Sequence, residues 1–395
     1  MEKQLMPINP EVLRWARESI GYSLEEVSRK QGLKKFGEWE RGEVYPTYAQ
    51  LEKISVALRR PIAVFFFPAP PKEATVEKAL RSISPDDVHN LSPAVRLLFR
   101  KAQAFQVSLR ELHAREEMLQ TRRIAWLNRL QGADMARVAH MVREVLGVSL
   151  EAQHSWPTSE VALKEWRAAL AQHGVYVFKE AFRDDKISGF CIYDDLYPII
   201  FINNSMESNR QIFTIFHELA HLLFKDSYLD IFDQRFWDID YEQSSHTEAK
   251  CNEFAGEFLV PKQAFSQTIN AGEIDDATLV KLSLQYKVSK EVILRRFLTW
   301  KLIDRVFYTK KLSEWRDVCA SKQYKERKTS NKAKGNYYNS KMSYLGDAYL
   351  ALVLREYHQG KIDLEEASAH LDIKSKAFAV VEEKFLNRKG HDVYF

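Results

Sequence analysis

Disulfides are the first thing this sequence does without. It holds three cysteines in 395 residues, an odd number with no paired spacing, so no disulfide framework is expected. The opening segment Met1 to Pro10 lacks the basic-then-apolar pattern of a secretory leader, which points to a cytoplasmic location. Long apolar runs are missing as well. The longest, such as Val64 to Phe67 and Tyr197 to Ile202, fall far short of the roughly 20 residues that a membrane span needs, so no membrane partner is expected. Strong charge of either sign is absent too: a formal net charge of +4 is too mild to establish nucleic-acid binding, and its distribution matters more than its sum. What the chain does have is an apolar content of 45%, enough for real cores, over a length that implies two or three domains.

Histidine is scarce, so a close pair of histidines is informative. His217-Glu218-Leu219-Ala220-His221 is such a pair, in the HExxH pattern of zinc hydrolases. Four positions are close to one helical turn, which puts both imidazoles on one face, and Glu218 beside them can reach a water held by the same metal. The surrounding run Gln211 to Phe224 contains no glycine or proline and is apolar on nearly all sides, as a helix buried in a core is. The bland alternative is a buried helix whose histidines bond only to carbonyls.

A catalytic zinc takes three protein ligands and keeps one position for water. The third ligand is expected downstream, in the helical stretch Thr247 to Pro261, which offers Glu248, Glu253 and Glu257. Cys251, Asn252, Ala255 and Leu259 fall within about 60° of Glu248 around a helix, whereas Glu253 and Glu257 lie near the opposite side. Cys251 and Ala255 are small enough for close helix approach, while Glu253 and Glu257 read as a solvated face. Glu248 is therefore the expected ligand, with His246 the main rival and Cys251 a weaker one. Asn252, one turn on, is placed either to orient the Glu248 carboxylate or to serve as a plain helix-surface asparagine. The metal so held is one Zn2+ per chain, with His217, His221 and Glu248 as ligands and Glu218 as general base for peptide-bond hydrolysis. His246, Tyr241 and Arg210 are candidates for oxyanion stabilisation through their nearness to the motifs in sequence.

HELAH followed by E-x-x-C-N-x-x-A-x-x-x-L-x-P resembles the ImmA/IrrE metallopeptidases, zinc-dependent intracellular regulators often encoded with, or fused to, Xre-type DNA-binding domains. Val161 to Phe178, Ile187 to Asn203 and Ile212 to His217 are similar to the helix and strands that lead into the zinc helix of such proteins, and Leu345 to Leu371 is similar to the tail of long Xre-linked members. The resemblance implies a protein substrate of repressor type. It also implies an alternative, an antitoxin that binds a toxin such as a PIN-domain ribonuclease and represses its own operon, with or without proteolysis. A metal-sensing repressor without turnover is a third reading.

The first seventy or so residues read as a compact unit. Asn9-Pro10 is an N-cap with proline at the first helical position, and Ser23 with Glu26 forms a capping box. A short helix follows over Lys34 to Glu40. Trp39 to Leu58 then resembles the close of an Xre-type helix-turn-helix, with a turn through Pro46 and a Leu51/Ile54/Leu58 stripe, and Pro61 to Pro71 resembles the exit of that unit in fused members. The recognition stretch, Lys34 to Arg41, is about two residues shorter than the family pattern and carries a glycine and two glutamates, which suit neither a long helix nor phosphates. Arg29, Lys30, Lys34, Lys35 and Arg41 remain as expected operator-DNA contacts, against the reading of a vestigial or protein-binding unit.

Val95, Leu98, Ala102, Phe105, Leu109 and Leu112 form a heptad-like stripe. It serves either packing within the chain or a homodimer that would match a two-half-site operator. Past the zinc motifs, Asp276 to Ile303 has a helix-turn-helix rhythm with Ser289 as a cap, which completes the peptidase domain or, alternatively, reads DNA through Arg295 and Arg296. Lys225 to His246 is long, aromatic and acidic, either a lid over the cleft or a packed surface loop.

The expected fold is therefore mainly α with a small β-sheet (α+β): a helix-turn-helix bundle at 1–71, a helical connector at 72–155, a zincin-like HExxH metallopeptidase domain at 156–308, a basic linker at 309–342 and a C-terminal helical module at 343–395, with Asp363 and Glu366 capping a helix of the last.

Overall fold

A computed structural model describes residues 4–72, 91–114, 121, 123–129, 134–182, 184, 187–225, 229–231, 246–265, 274–315 and 337–389. The chain divides into two units, Met1–Ala104 and Phe105–Phe395. It is mainly helical with one small sheet, and no helix among the described residues is long and apolar enough to cross a membrane.

The first unit is built from α1 (Pro10–Ile20), α2 (Leu24–Ser28), α3 (Phe36–Glu40), α4 (Tyr48–Leu58) and a 3-10 turn at Ile62–Phe66. The Asn9 side chain accepts a hydrogen bond from the Glu11 amide, and Ser23 and Glu26 form the reciprocal capping box. The Leu51/Ile54/Leu58 stripe is fully buried against Leu13, Phe36 and Trp39 in one core. The short α3 turns Phe36, Trp39 and Glu40 inward. Glu40 accepts two 2.8 Å hydrogen bonds from the Arg17 guanidinium, a fork that neutralises a carboxylate which in sequence looked like an obstacle to phosphate.

The cations expected to meet DNA are mostly engaged within this unit. Arg29 pairs with Glu25, Lys35 with Glu38 at 3.4 Å, and Arg41 with Glu43 at 2.6 Å. Lys30 lies 4.1 Å over the Tyr22 ring, and Lys34 is exposed.

Helix α5 (Pro93–Leu112) contains the division between the units. All six residues of its heptad-like stripe are buried.

The second unit continues with α6 (Met135–Leu146), α7 (Leu150–Ser155), α8 (Ser159–Gln172), β1 (Tyr176–Glu180), β2 (Ile187–Ile192), β3 (Ile199–Asn203), α9 (Ser208–Leu223), β4 (Leu229–Ile231), α10 (His246–Leu259), α11 (Asp276–Tyr286), α12 (Lys290–Thr299), α13 (Tyr337–Leu345), α14 (Asp347–His358), α15 (Leu364–His370) and α16 (Phe378–Lys389). The strands lie in the order β1-β3-β2-β4. β1 and β3 are parallel, and β2 runs antiparallel to β3 on one side and β4 on the other.

Successive strand residues point to opposite faces, and here both faces are covered. Val177, Cys191, Ile200 and Ile202 join the core with α8, α9 and α10. Phe178, Phe190 and Phe201 face the other way, where Phe105 stacks on Phe178 at 4.4 Å and Tyr349 meets Phe178 edge-on at 5.2 Å. The segment expected as a separate C-terminal module is thus part of the second unit: it covers an apolar sheet face that would otherwise be wet. Arg167 of α8 fastens it, donating to the Ser343 and Tyr344 carbonyls as well as to Val177. Ser289 and Asp363 cap their helices as expected. Residues 316–336 of the expected linker lie outside the described residues, as does all of 225–246 except Lys225, β4 and the backbone of His246.

Candidate metal centre

Helix α9 lies between the sheet and α10. Trp166 of α8 is fully buried and meets Phe216 of α9 at 5.0 Å and Phe258 of α10 at 5.2 Å, while Phe216 and Phe258 stack at 4.0 Å. Cys251 and Ala255 are small and wholly buried in this core. This packing sets two helices side by side, and their polar residues meet in one cluster.

Three donors form that cluster. The Nε2 atoms of His217 and His221 are 3.2 Å apart. Glu248 brackets them, with Oε2 3.3 Å from His217 Nε2 and Oε1 3.1 Å from His221 Nε2. Ligands about 2.0–2.1 Å from a tetrahedral zinc would stand roughly 3.3–3.4 Å from one another; the two imidazole nitrogens are 3.2 Å apart, and each has a different Glu248 oxygen within 3.3 Å. Two imidazoles and one carboxylate are also a donor set of catalytic zinc sites. The residues present fit the metal.

The electrostatics agree with cation binding. Burial on its own would raise the Glu248 carboxyl, but hydrogen bonds and charge from His217 and His221 hold it well below the usual carboxylate range. His217 and His221 are 1% and 0% exposed and Glu218 is 0% exposed, so a charge placed here interacts in a low-dielectric surrounding.

Asn252 is near the site, but its partner differs from the expected one. Its Oδ1 accepts from Nδ1 of His217 at 3.0 Å, rather than orienting Glu248. A hydrogen bond at Nδ1 fixes the tautomer that leaves Nε2 free for a metal. Replacing Asn252 with Ala is expected to weaken zinc binding about 10- to 100-fold in a chelator competition, while Asn252→Asp, which keeps the acceptor, retains most of the affinity. An unchanged affinity in Asn252→Ala would mean that packing alone holds the ring.

Gly189 of β2 was not foreseen. A Cβ there would lie 2.6 Å from Thr214 Cγ2, 2.9 Å from the Phe201 carbonyl oxygen and 3.6 Å from Glu218 Cγ. The strand can approach α9 this closely only without a side chain, and the one hint in sequence was a glycine inside the apolar strand ISGFCI.

Other expectations shift. Glu253 and Glu257 are half-buried, not solvated, because α10 packs against α6 on that side. Burial, with Asp134 and Glu257 nearby, raises the Glu253 carboxyl. Glu257 pairs with Arg296, which is 3% exposed, and Arg295 lies 5.6 Å from the Tyr308 ring. Arg296 is therefore an internal brace and is not presented to DNA. Cys251 is not among the clustered donors. Arg210 is half-buried on α9, two turns before His217. Tyr241 and the side chain of His246 lie outside the described residues.

Residues 170–298 match the family model Peptidase_M78, the IrrE N-terminal-like domain. The match takes in the sheet, α9 and α10, and so contains all three clustered donors and Glu218. No curated protein matches the chain.

Proposed function

We propose that the chain is a zinc-dependent peptidase of the cytoplasm that regulates transcription by cleaving a repressor or another partner protein. The observation that carries this reading is the His217/His221/Glu248 cluster, in which the two Nε2 atoms stand 3.2 Å apart and each lies within 3.3 Å of a Glu248 oxygen, next to the buried carboxylate of Glu218. When bound there, zinc supplies a water of lowered pKa and polarises the scissile carbonyl. Glu218 accepts the proton of that water and later delivers it to the leaving amine nitrogen, so one side chain serves as base and then as acid. Asn252 keeps His217 in the ligating tautomer, and the fold leaves Glu218 0% exposed.

The N-terminal unit serves as an Xre-type helix-turn-helix that brings the peptidase to operator DNA. Since Arg29, Lys35 and Arg41 hold intramolecular carboxylates, each would exchange a glutamate for a phosphate, which favours modest affinity.

A second reading, the antitoxin, is favoured by the closure of the site: with His217, Glu218 and His221 at most 1% exposed, the unit could hold a toxin without turning over substrate.

Elemental mass spectrometry on the purified chain and on folded His217→Ala and Glu248→Ala variants tests the metal site. One zinc per chain, lost in both variants, is the expected result. No zinc in a folded, metal-supplemented chain would overturn the peptidase and leave a binding scaffold.

A further inference from the structure

We propose that the hollow between α6 and the C-terminal end of α10 is a binding site for a phosphorylated small molecule of about mononucleotide size. The inference stands apart from the peptidase reading. Glu257, on the wall of the hollow, is nine residues from Glu248, about 14 Å along the helix, and none of the three clustered donors lines it.

Charge carries it. The hollow has a volume of about 450 Å³, within the range of small-molecule sites. Its basic side chains are Arg137, His140, Arg143 and Lys262, and its acidic ones are Asp134 and Glu257. Two of these are already matched within the chain: His140 stands 3.6 Å from Glu144, and Glu257 meets the buried Arg296. That leaves Asp134 against Arg137, Arg143 and Lys262, a surplus of two positive charges. Beyond the lining, Glu253 adds a carboxylate that Lys250 of the same helix counters. A phosphomonoester carries about −1.5 to −2 at neutral pH, which balances the surplus.

Arg143 is the least exposed of the three cations. Its guanidinium donates to the Val148 carbonyl at 3.1 Å, to Gln153 Oε1 at 2.8 Å and to the Phe258 carbonyl. All three acceptors are neutral, and no carboxylate among the described residues lies within ion-pair distance. Burial pushes its pKa down to about 10, which still leaves it cationic at neutral pH. A cation taken out of water without a counter-charge is costly, and a dianion in the hollow offsets part of that cost. Arg137 and Lys262 are exposed and make no ion pair among the described residues, so both are available to a phosphate. Ala136, Ala139 and Pro261 supply an apolar wall, which suits the organic body of a phosphomonoester rather than a bare phosphate ion.

Isothermal titration calorimetry on the full chain, at constant ionic strength, uses adenosine 5′-monophosphate, inorganic phosphate and adenosine as probes. The monophosphate is expected to bind at least about tenfold more tightly than inorganic phosphate, through burial of its organic body, and adenosine not measurably. Since the N-terminal unit also carries cations, substitutions locate the site. Arg137→Ala combined with Lys262→Ala, both at exposed side chains, should weaken the monophosphate at least about tenfold. The Asp134 side chain accepts from the Ala136 amide at 3.4 Å as the cap of α6. Asp134→Asn keeps a capping oxygen and removes the opposing charge, so it should tighten binding a few-fold, a gain that a merely structural role for this surface would not give. No binding of either phosphate probe up to about 10 mM, or an unchanged affinity in the Arg137/Lys262 variant with circular dichroism intact, would overturn the proposal. Inorganic phosphate binding as tightly as the monophosphate would overturn the organic part of it and leave a site for the free ion.

Discussion

Replacing Glu218 with Gln is expected to lower peptide turnover by about 10²- to 10⁴-fold, the usual span of a general acid–base contribution, with zinc still bound at one per chain. The amide has the shape of the carboxylate and cannot take a proton from water. It also leaves the donors untouched, because the three clustered groups are His217, His221 and Glu248. Glu218 is 0% exposed, and an ionised carboxylate in such a place is costly, so the variant should melt at or above the temperature of the parent. Turnover of fluorogenic peptides, zinc content and thermal melts on one preparation check all three. Turnover that survived in the zinc-loaded variant would remove Glu218 from the mechanism. A loss of zinc together with activity would make Glu218 a structural support of the site.

The clustering of His217, His221 and Glu248 was legible in the sequence because helix periodicity converts spacing into direction. His217 and His221 share a face by their separation alone, and Glu248 was singled out from Glu253 and Glu257 by where small residues fell around the second helix. The partner of Asn252 was not legible in the same way. Periodicity says which face a residue occupies, not which atom of the neighbouring helix it meets, and across the contact with α9 it meets Nδ1 of His217. Gly189 escaped for a related reason. Its importance lies in a strand-to-helix approach, and the partners of a strand are set by long-range pairing that local pattern does not encode.

The sheet shows the same limit. Its strands were expected from the resemblance of Val161 to Phe178 and Ile187 to Asn203 to the metallopeptidase family, yet the parallel pairing of β1 with β3 and the antiparallel insertion of β2 beside it depend on chain crossovers. Residues 343–389 looked self-contained because their capping box is a local feature. Only the aromatic face of the sheet, with Phe178 against Tyr349, shows that they complete the second unit.

Arg296→Ala is expected to destabilise the second unit by about 3–5 kcal/mol, the cost of breaking a buried ion pair from one side. Arg296 is 3% exposed. Its guanidinium meets the Glu257 carboxylate, its Nε donates to the Val260 carbonyl at 3.2 Å, and its plane lies 4.7 Å from the Trp300 ring. Gly256 makes room for it, since a Cβ there would stand 3.0 Å from Arg296 Cδ. Truncation therefore leaves a half-buried carboxylate without its counter-charge and a carbonyl at the end of α10 without its donor. Replacing both partners, Arg296→Met with Glu257→Leu, should recover most of the loss, because a well-packed apolar pair avoids the desolvation cost of the ions. Denaturant titration of the three variants measures the difference. A single variant within about 0.5 kcal/mol of the parent, the range of an ordinary surface change, would show that Arg296 is not the brace of α10. It would also reopen the reading in which this arginine faces nucleic acid. Because α10 carries Glu248 at its other end, the same titrations repeated with and without zinc would show whether the brace is felt at the metal site.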